Sequence, residues 1–344
     1  MTRESKGKTI NEIGLLYAFG VLLTIAGHSH TSDWAAFPAL PIEFIYSFHM
    51  PLFFCVSGYL FARSESLKRN GYLKWIFGKT KRLLIPYFVI SVISFIPKTL
   101  LEKGNFNNIG PKEIFECFFA PRLNVWGHFW FLPVIFVLYA VFGLWRNISY
   151  NKAEHKKYVI VGTFLCAMLL HFVKTDFLWL GISDLCSFTV YFAMGILVCD
   201  VLKIKKNKKE VLIVGALLLT AVSVVLFLKF RHNVFVMFVE SILMLMACLF
   251  VAQFLAEKNF KCVNFINDNV FTFYICSWPF QAVGEKILDY FNSEWYVYTI
   301  VMFLIGVVAP CIIIVAYRKL KFINCDFLSY LLGFRVGKAY PNQP

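Results

Sequence analysis

The chain has 344 residues, of which 59% are hydrophobic and only 16% charged, and its mean hydropathy is +0.67. That balance excludes an ordinary soluble domain and predicts a polytopic membrane protein. The formal charge of +14 invites a nucleic-acid reading, but the placement of the charges predicts membrane topology and no nucleic-acid partner.

A spanning helix needs about 20 mostly apolar residues. Such stretches are predicted near 11–28, 42–62, 83–101, 129–145, 157–173, 187–201, 211–229, 234–255, 271–291 and 297–317. The expected fold is all-α, a membrane bundle of about ten transmembrane helices, with residues 1–344 forming one integral-membrane domain. The stretch at 187–201 is short for a span. Basic residues ahead of the first stretch resemble a signal peptide, but His28 and His30 stand where small residues of a cleavage region belong. An uncleaved first span is therefore expected.

With sides alternating, one side of the membrane collects Arg3, Lys6 and Lys8, then seven basic residues from Arg63 to Arg82. Arg146, Lys152, Lys156 and Lys157 follow, then five from Lys203 to Lys209, Lys258 with Lys261, and five from Arg318 onward. That side holds 26 of the 34 Lys and Arg, the other 8. Cytoplasmic loops carry such an excess, so both termini of a multi-pass protein of the cell (inner) membrane are expected in the cytoplasm. Part of this charge would also attract an anionic ligand. The loop at about 102–128, with Gly110, Pro111 and Pro121, is the longest on the opposite side. The ten cysteines lie mostly in apolar stretches and read as packing residues. There is no Gly/Ser linker, low-complexity tract or internal repeat.

Ionisable groups near membrane depth mark candidate sites, because hydrocarbon makes them costly to keep. The first stretch ends in Ala26-Gly27-His28-Ser29. His28 lies eleven residues after Tyr17, nearly three whole turns, so both share one helix face about 16 Å apart. An imidazole there suits proton abstraction from a hydroxyl; the plainer reading is an interfacial histidine at a helix end. His30 points away from His28, and no metal site is expected. His49 precedes Met50-Pro51, and Pro favours a first helical turn, so His49 is expected at the mouth of the second span, at a depth similar to His28. Ser57-Gly58 lies deeper, where close helix packing competes with a polar role. Trp130, in Trp126-Gly127-His128-Phe129-Trp130, fits an aromatic belt or the wall of a substrate mouth. Glu240 lies inside the eighth stretch and should face the bundle interior or a wet cavity. Arg82, at the start of the third stretch, suits phosphate in a bidentate way, or serves as topology charge.

These segments resemble the membrane acyltransferase 3 family, which O-acylates glycans. Ala26-Gly27-His28-Ser29 is similar to its first-span histidine motif. Phe48-His49-Met50-Pro51-Leu52-Phe53-Phe54 with Ser57-Gly58-Tyr59-Leu60 is similar to its second-span signature. Lys81-Arg82-Leu83-Leu84-Ile85-Pro86-Tyr87 resembles the start of its third span, and His128-Phe129-Trp130-Phe131-Leu132 that of its fourth. The resemblance implies transfer of an acyl group, commonly acetyl from cytoplasmic acetyl-CoA, to a sugar hydroxyl, with His28 in the place of the essential histidine and Arg82 at a donor-holding position. Two departures stand out. Tyr17 occupies a place usually held by Arg or Lys, and Gly14 one usually acidic. Ser277 also stands where a late segment often carries histidine.

The expected function is thus O-acyl, foremost O-acetyl, transfer from acyl-CoA to a cell-surface or lipid-linked glycan. His28 is the expected general base, with His49 beside it. Arg82, Lys81 and Tyr17 lie toward the donor, and Trp130, Ser57 and Glu240 toward the acceptor. Acyl-CoA is a donor substrate, and no permanently bound cofactor is expected. Partners are the glycan, the bilayer and polysaccharide-assembly proteins. Two alternatives remain open: a translocator of a glycan intermediate, and an inactive family member acting as an assembly partner.

Overall fold

The computed structural model describes residues 3–30, 39–103, 110–150, 155–204, 208–256, 258, 260–291, 293–319 and 331–332. Thirteen α-helices occur among them: α1 (Arg3–Gly27), α2 (Ala39–Arg63), α3 (Ser66–Asn70), α4 (Tyr72–Lys103), α5 (Pro111–Phe119), α6 (Phe131–Trp145), α7 (Lys156–His171), α8 (Ile182–Leu197), α9 (Lys209–Phe230), α10 (Val234–Leu255), α11 (Lys261–Asp268), α12 (Val270–Tyr290) and α13 (Trp295–Lys319). There is no strand among the described residues. Seven stretches are long and apolar enough to cross a membrane: Ala39–Arg63, Tyr72–Thr99, Gly127–Ile148, Trp179–Leu202, Lys209–Phe230, Val234–Leu255 and Trp295–Lys319. The protein is an all-α, multi-pass membrane bundle.

Three of the ten expected spans fall short of that measure in different ways. The apolar part of α1 is the shorter helix Glu12–Gly27. α7 has 16 residues, and α12 carries Pro279 with Glu285, Lys286 and Asp289 in its second half. The stretch near 187–201, short by composition, is in fact longer, because a turn at Trp179–Gly181 runs into α8. That turn takes Gly181 to φ 70°, where a side chain is disfavoured and a Cβ would also press on Val134. Lys152, Lys205, Lys206, Lys321, Arg335 and Lys338, counted for topology, lie outside the described residues.

The chain divides into two compact units, Met1–Val56 with Lys205–Asn324, and Ser57–Ile204 with Cys325–Pro344. In the first, α9 packs on α10 and α12 on α13, while α1 touches α10, α11, α12 and α13. Ile13, Leu15, Leu16, Ala18, Val21 and Ile25 of α1 are all buried, as expected of a helix enclosed on every side. Small residues let neighbours close in: a Cβ on Gly20 would lie 2.9 Å from the Phe53 ring of α2.

In the second unit, α4 packs on α6 and α7 on α8. An aromatic cluster of Phe61, Trp75, Tyr139, Phe142 and Phe192 fills it, with ring centroids 4.9–6.3 Å apart. Gly58 packs so closely on α8 that a Cβ would overlap the Phe192 carbonyl. Arg146, counted above as a loop charge, is buried; its Nη1 donates to Phe61 O at 2.7 Å and Ser64 O at 3.2 Å, closing the C-terminal end of α2. The long loop near 102–128 holds α5 and is tied to α4. Tyr87 Oη donates to Phe118 O (3.0 Å), and Asn124 Nδ2 to Ser91 Oγ (2.8 Å) and Cys117 O (2.9 Å).

Candidate active site

His28 follows the last residue of α1, and its backbone N–H closes the helix on Thr24 O at 3.1 Å. Its imidazole is half-buried between two aromatic rings. Trp278 of α12 lies 4.5 Å away, centroid to centroid, and Tyr46 of α2 lies 6.1 Å away. Tyr46 Oη donates to Gly27 O at 2.7 Å, which satisfies a carbonyl orphaned at the helix end. Beyond Tyr46, at 5.3 Å, lies the ring of His49, so one phenol ring adjoins both histidines. The two histidines thus adjoin one phenol, but His49 is the eleventh residue of α2 and Pro51 lies inside that helix, so His49 is not at the mouth of the span as its Pro suggested: the helix starts ten residues earlier, at Ala39.

His49 is buried, and its Nδ1 lies 2.9 Å from Ile45 O. Only an Nδ1–H can serve that carbonyl, so the neutral ring carries its proton on Nδ1 and presents a lone pair at Nε2. Glu240 of α10 is fully buried, its carboxylate beside Ser47 of α2. Its neighbour Ser241 donates to Ser47 O at 2.8 Å, tying α10 to α2. Ser47 Oγ donates to Phe44 O at 2.7 Å.

The two family departures on α1 share a physical logic. Tyr17 packs edge-on to Phe53 at 5.9 Å. At Gly14, a Cβ would lie 3.0 Å from Asn267 Nδ2 of α11, so a neutral amide occupies the space an acidic side chain would enter. A phenol and an amide stand where the resemblance implies a cation and a carboxylate.

Ser57, Lys81, Arg82 and Trp130 belong to the second unit. Ser57 is buried beside the tight Gly58 contact. Lys81 lies over the exposed Phe77 ring, its Nζ 4.7 Å from the centroid. Lys79, which the sequence reading passed over as a site residue, lies on the other side of α4. Its Nζ is 3.8 Å from the Tyr139 centroid and 5.5 Å from that of Trp75, and Arg82, one turn on, acts on it as a like charge. Lys79 and Arg82 thus share one face of α4, which Lys81 and Arg82 do not. The helical period carried the signal, since residues three apart share a face and adjacent residues do not.

Trp130 is buried rather than lining a mouth. Its ring meets Phe188 at 5.2 Å, and the Arg122 guanidinium lies 3.9 Å from its centroid. Arg122 in turn grips Asp184 with Nε at 3.1 Å and Nη2 at 2.6 Å. In this unit a cavity of about 240 Å³ is lined by Glu116, Asp176, Phe177 and Trp179 among others. Carboxylates to accept hydroxyl protons and an indole face to pack on C–H groups suit a polyol.

No curated protein and no solved structure matches the chain at a significant level. The sequence model of the family described as an acyltransferase domain, Acyl_transf_3, matches residues 12–317. It thus includes both histidines, the cationic face of α4 and the Arg122–Asp184 clasp. By that match the chain belongs to the membrane acyltransferase 3 family.

Proposed function

We propose that this protein transfers an acyl group, acetyl foremost, from acyl-CoA to a hydroxyl of a cell-surface or lipid-linked glycan. The observation that carries this reading is the histidine pair around Tyr46, with His28 fixed at the end of α1. His28 takes the proton of the attacking hydroxyl, and His49 presents a second imidazole nitrogen nearby. The donor's phosphates are held by Lys79 and Arg82, with Lys81 farther round the helix. The buried Trp130 supports the Arg122–Asp184 clasp rather than touching the glycan. The protein is placed in the cell (inner) membrane with both termini in the cytoplasm, in keeping with the 26-to-8 division of basic residues.

A second reading rests on the Tyr17 and Asn267 positions. Neutral groups in place of a charged pair fit a member that assembles with polysaccharide machinery instead of turning over. NMR of O-acetyl signals decides between them. Surface glycans are compared from cells carrying wild type, His28→Ala or no copy, at matched protein levels. Acetyl signals only with wild type support acyl transfer through His28. Equal signals with wild type and His28→Ala remove His28 as the base. No difference among the three favours the assembly role.

A further inference from the structure

Gln281 is a long polar side chain almost fully enclosed in α12, at 1% exposure. Its amide nitrogen reaches three oxygens: Ile25 O at 3.1 Å, Ser29 Oγ at 3.0 Å and Met302 O at 3.2 Å. An amide carries two hydrogens, so one of them is shared. Ile25 and Ser29 flank His28 in sequence. Ser29 Oγ donates back to Ile25 O at 2.6 Å, so the last turn of α1, Gln281 and the hydroxyl form one closed set. Ser29 is fully buried as well.

Trp278 is three residues before Gln281, hence on the same face of α12. One face of this helix therefore delivers an indole to the His28 ring at 4.5 Å and an amide to the Ile25 carbonyl before it and the Ser29 hydroxyl after it. α13 makes room for this. A Cβ on Gly306 would lie 2.9 Å from Gln281 Cδ and 2.5 Å from Ile25 Cγ2, so only glycine lets the amide lie across α1 and α13 together. Such a network is expensive to bury unless it is satisfied, and here each hydrogen of the amide has an acceptor.

We infer that Gln281, seated by Gly306, is a positioning residue for His28: it fixes the chain on both sides of the imidazole. This rests on the reading of His28 as the base of acyl transfer. Displacement of a catalytic group by about 1 Å can cost on the order of a hundredfold in rate. Removing the amide should therefore lower turnover while leaving donor binding, assigned to α4, alone.

The test uses full-length protein in membrane vesicles with [13C2]acetyl-CoA as donor and the host's glycan as acceptor. Gln281→Met keeps the length and removes the N–H groups. Its kcat should fall about tenfold or more, with KM for acetyl-CoA within about twofold. Gln281→Glu keeps shape and polarity and, when protonated, donates one bond, so its kcat relative to wild type at the same pH should rise as the pH is lowered. Leu288→Ala is the stability control. Leu288 lies seven residues after Gln281 and packs with Tyr298 and Met302; its truncation leaves the Met302 carbonyl that Gln281 serves in place, so its kcat per folded molecule should stay at wild type. A wild-type kcat in Gln281→Met, or an equal loss in Leu288→Ala at the same melting temperature, overturns the positioning role. His28→Ala, run alongside, separates the two claims: activity retained there overturns the base assignment itself, whereas activity lost there with Gln281→Met unaffected overturns only the positioning.

Discussion

Two regions of the molecule handle polar groups in opposite ways. Around His28, contacts restrict movement: Tyr46 holds the Gly27 carbonyl, Gln281 holds Ile25 and Ser29, and Trp278 backs the ring. Along α4 the charges are long and flexible and lie on ring faces, Lys79 on Tyr139 and Lys81 on Phe77. Proton transfer demands a group in one place, while a phosphate-bearing donor demands charge on one side of a helix. The contrast teaches that changes in the first region should appear in turnover, and changes on α4 in donor affinity. Elsewhere in the second unit, at Gly58 and the Arg122–Asp184 clasp, they should appear in stability.

The largest break is expected at His28. His28→Ala should lower turnover by roughly 10²–10⁴-fold at unchanged protein level, read as acetyl ester formed per folded molecule. Next comes Gly58→Ala, which drives a methyl group into the Phe192 carbonyl and should cost about 1–3 kcal/mol, read as a lower melting temperature in detergent. Arg122→Ala leaves the buried Asp184 without its partner and should cost about 2 kcal/mol in the same assay. Asp184→Asn, which removes the charge together with most of the pairing, should cost less. The finest test compares Lys79→Met with Lys81→Met. The first should raise KM for acetyl-CoA about tenfold at constant kcat, and the second should leave both near wild type. Equal effects at 79 and 81 would erase the assignment of faces on α4.

How much of this was legible in the sequence depended on range. The membrane class followed from apolar length, whereas His49 reaches Tyr46 from within α2 and not from the mouth that Pro51 suggested. Lys79 was legible too, through the three-residue offset from Arg82, but only once α4 is divided into a face toward Tyr139 and a face toward the exposed Phe77. Gln281 deserved the suspicion given to Glu240, as a polar side chain in an apolar stretch. Its three acceptors come from α1 and α13, however, and no local pattern encodes them. α5 had a local signal that was passed over. Pro111 sits at the first helical position, and Glu113 turns back to accept from Gly110 N at 2.8 Å. The burial of Trp130 had none, because it follows from a clasp between residues 62 positions apart.

The most direct test of the central claim follows the acyl group itself. Inside-out vesicles carrying wild type or His28→Ala are given [13C2]acetyl-CoA, and the label is sought as an ester on glycan hydroxyls. The account predicts label with wild type and none with His28→Ala. Equal labelling by both, or none by either, would contradict it.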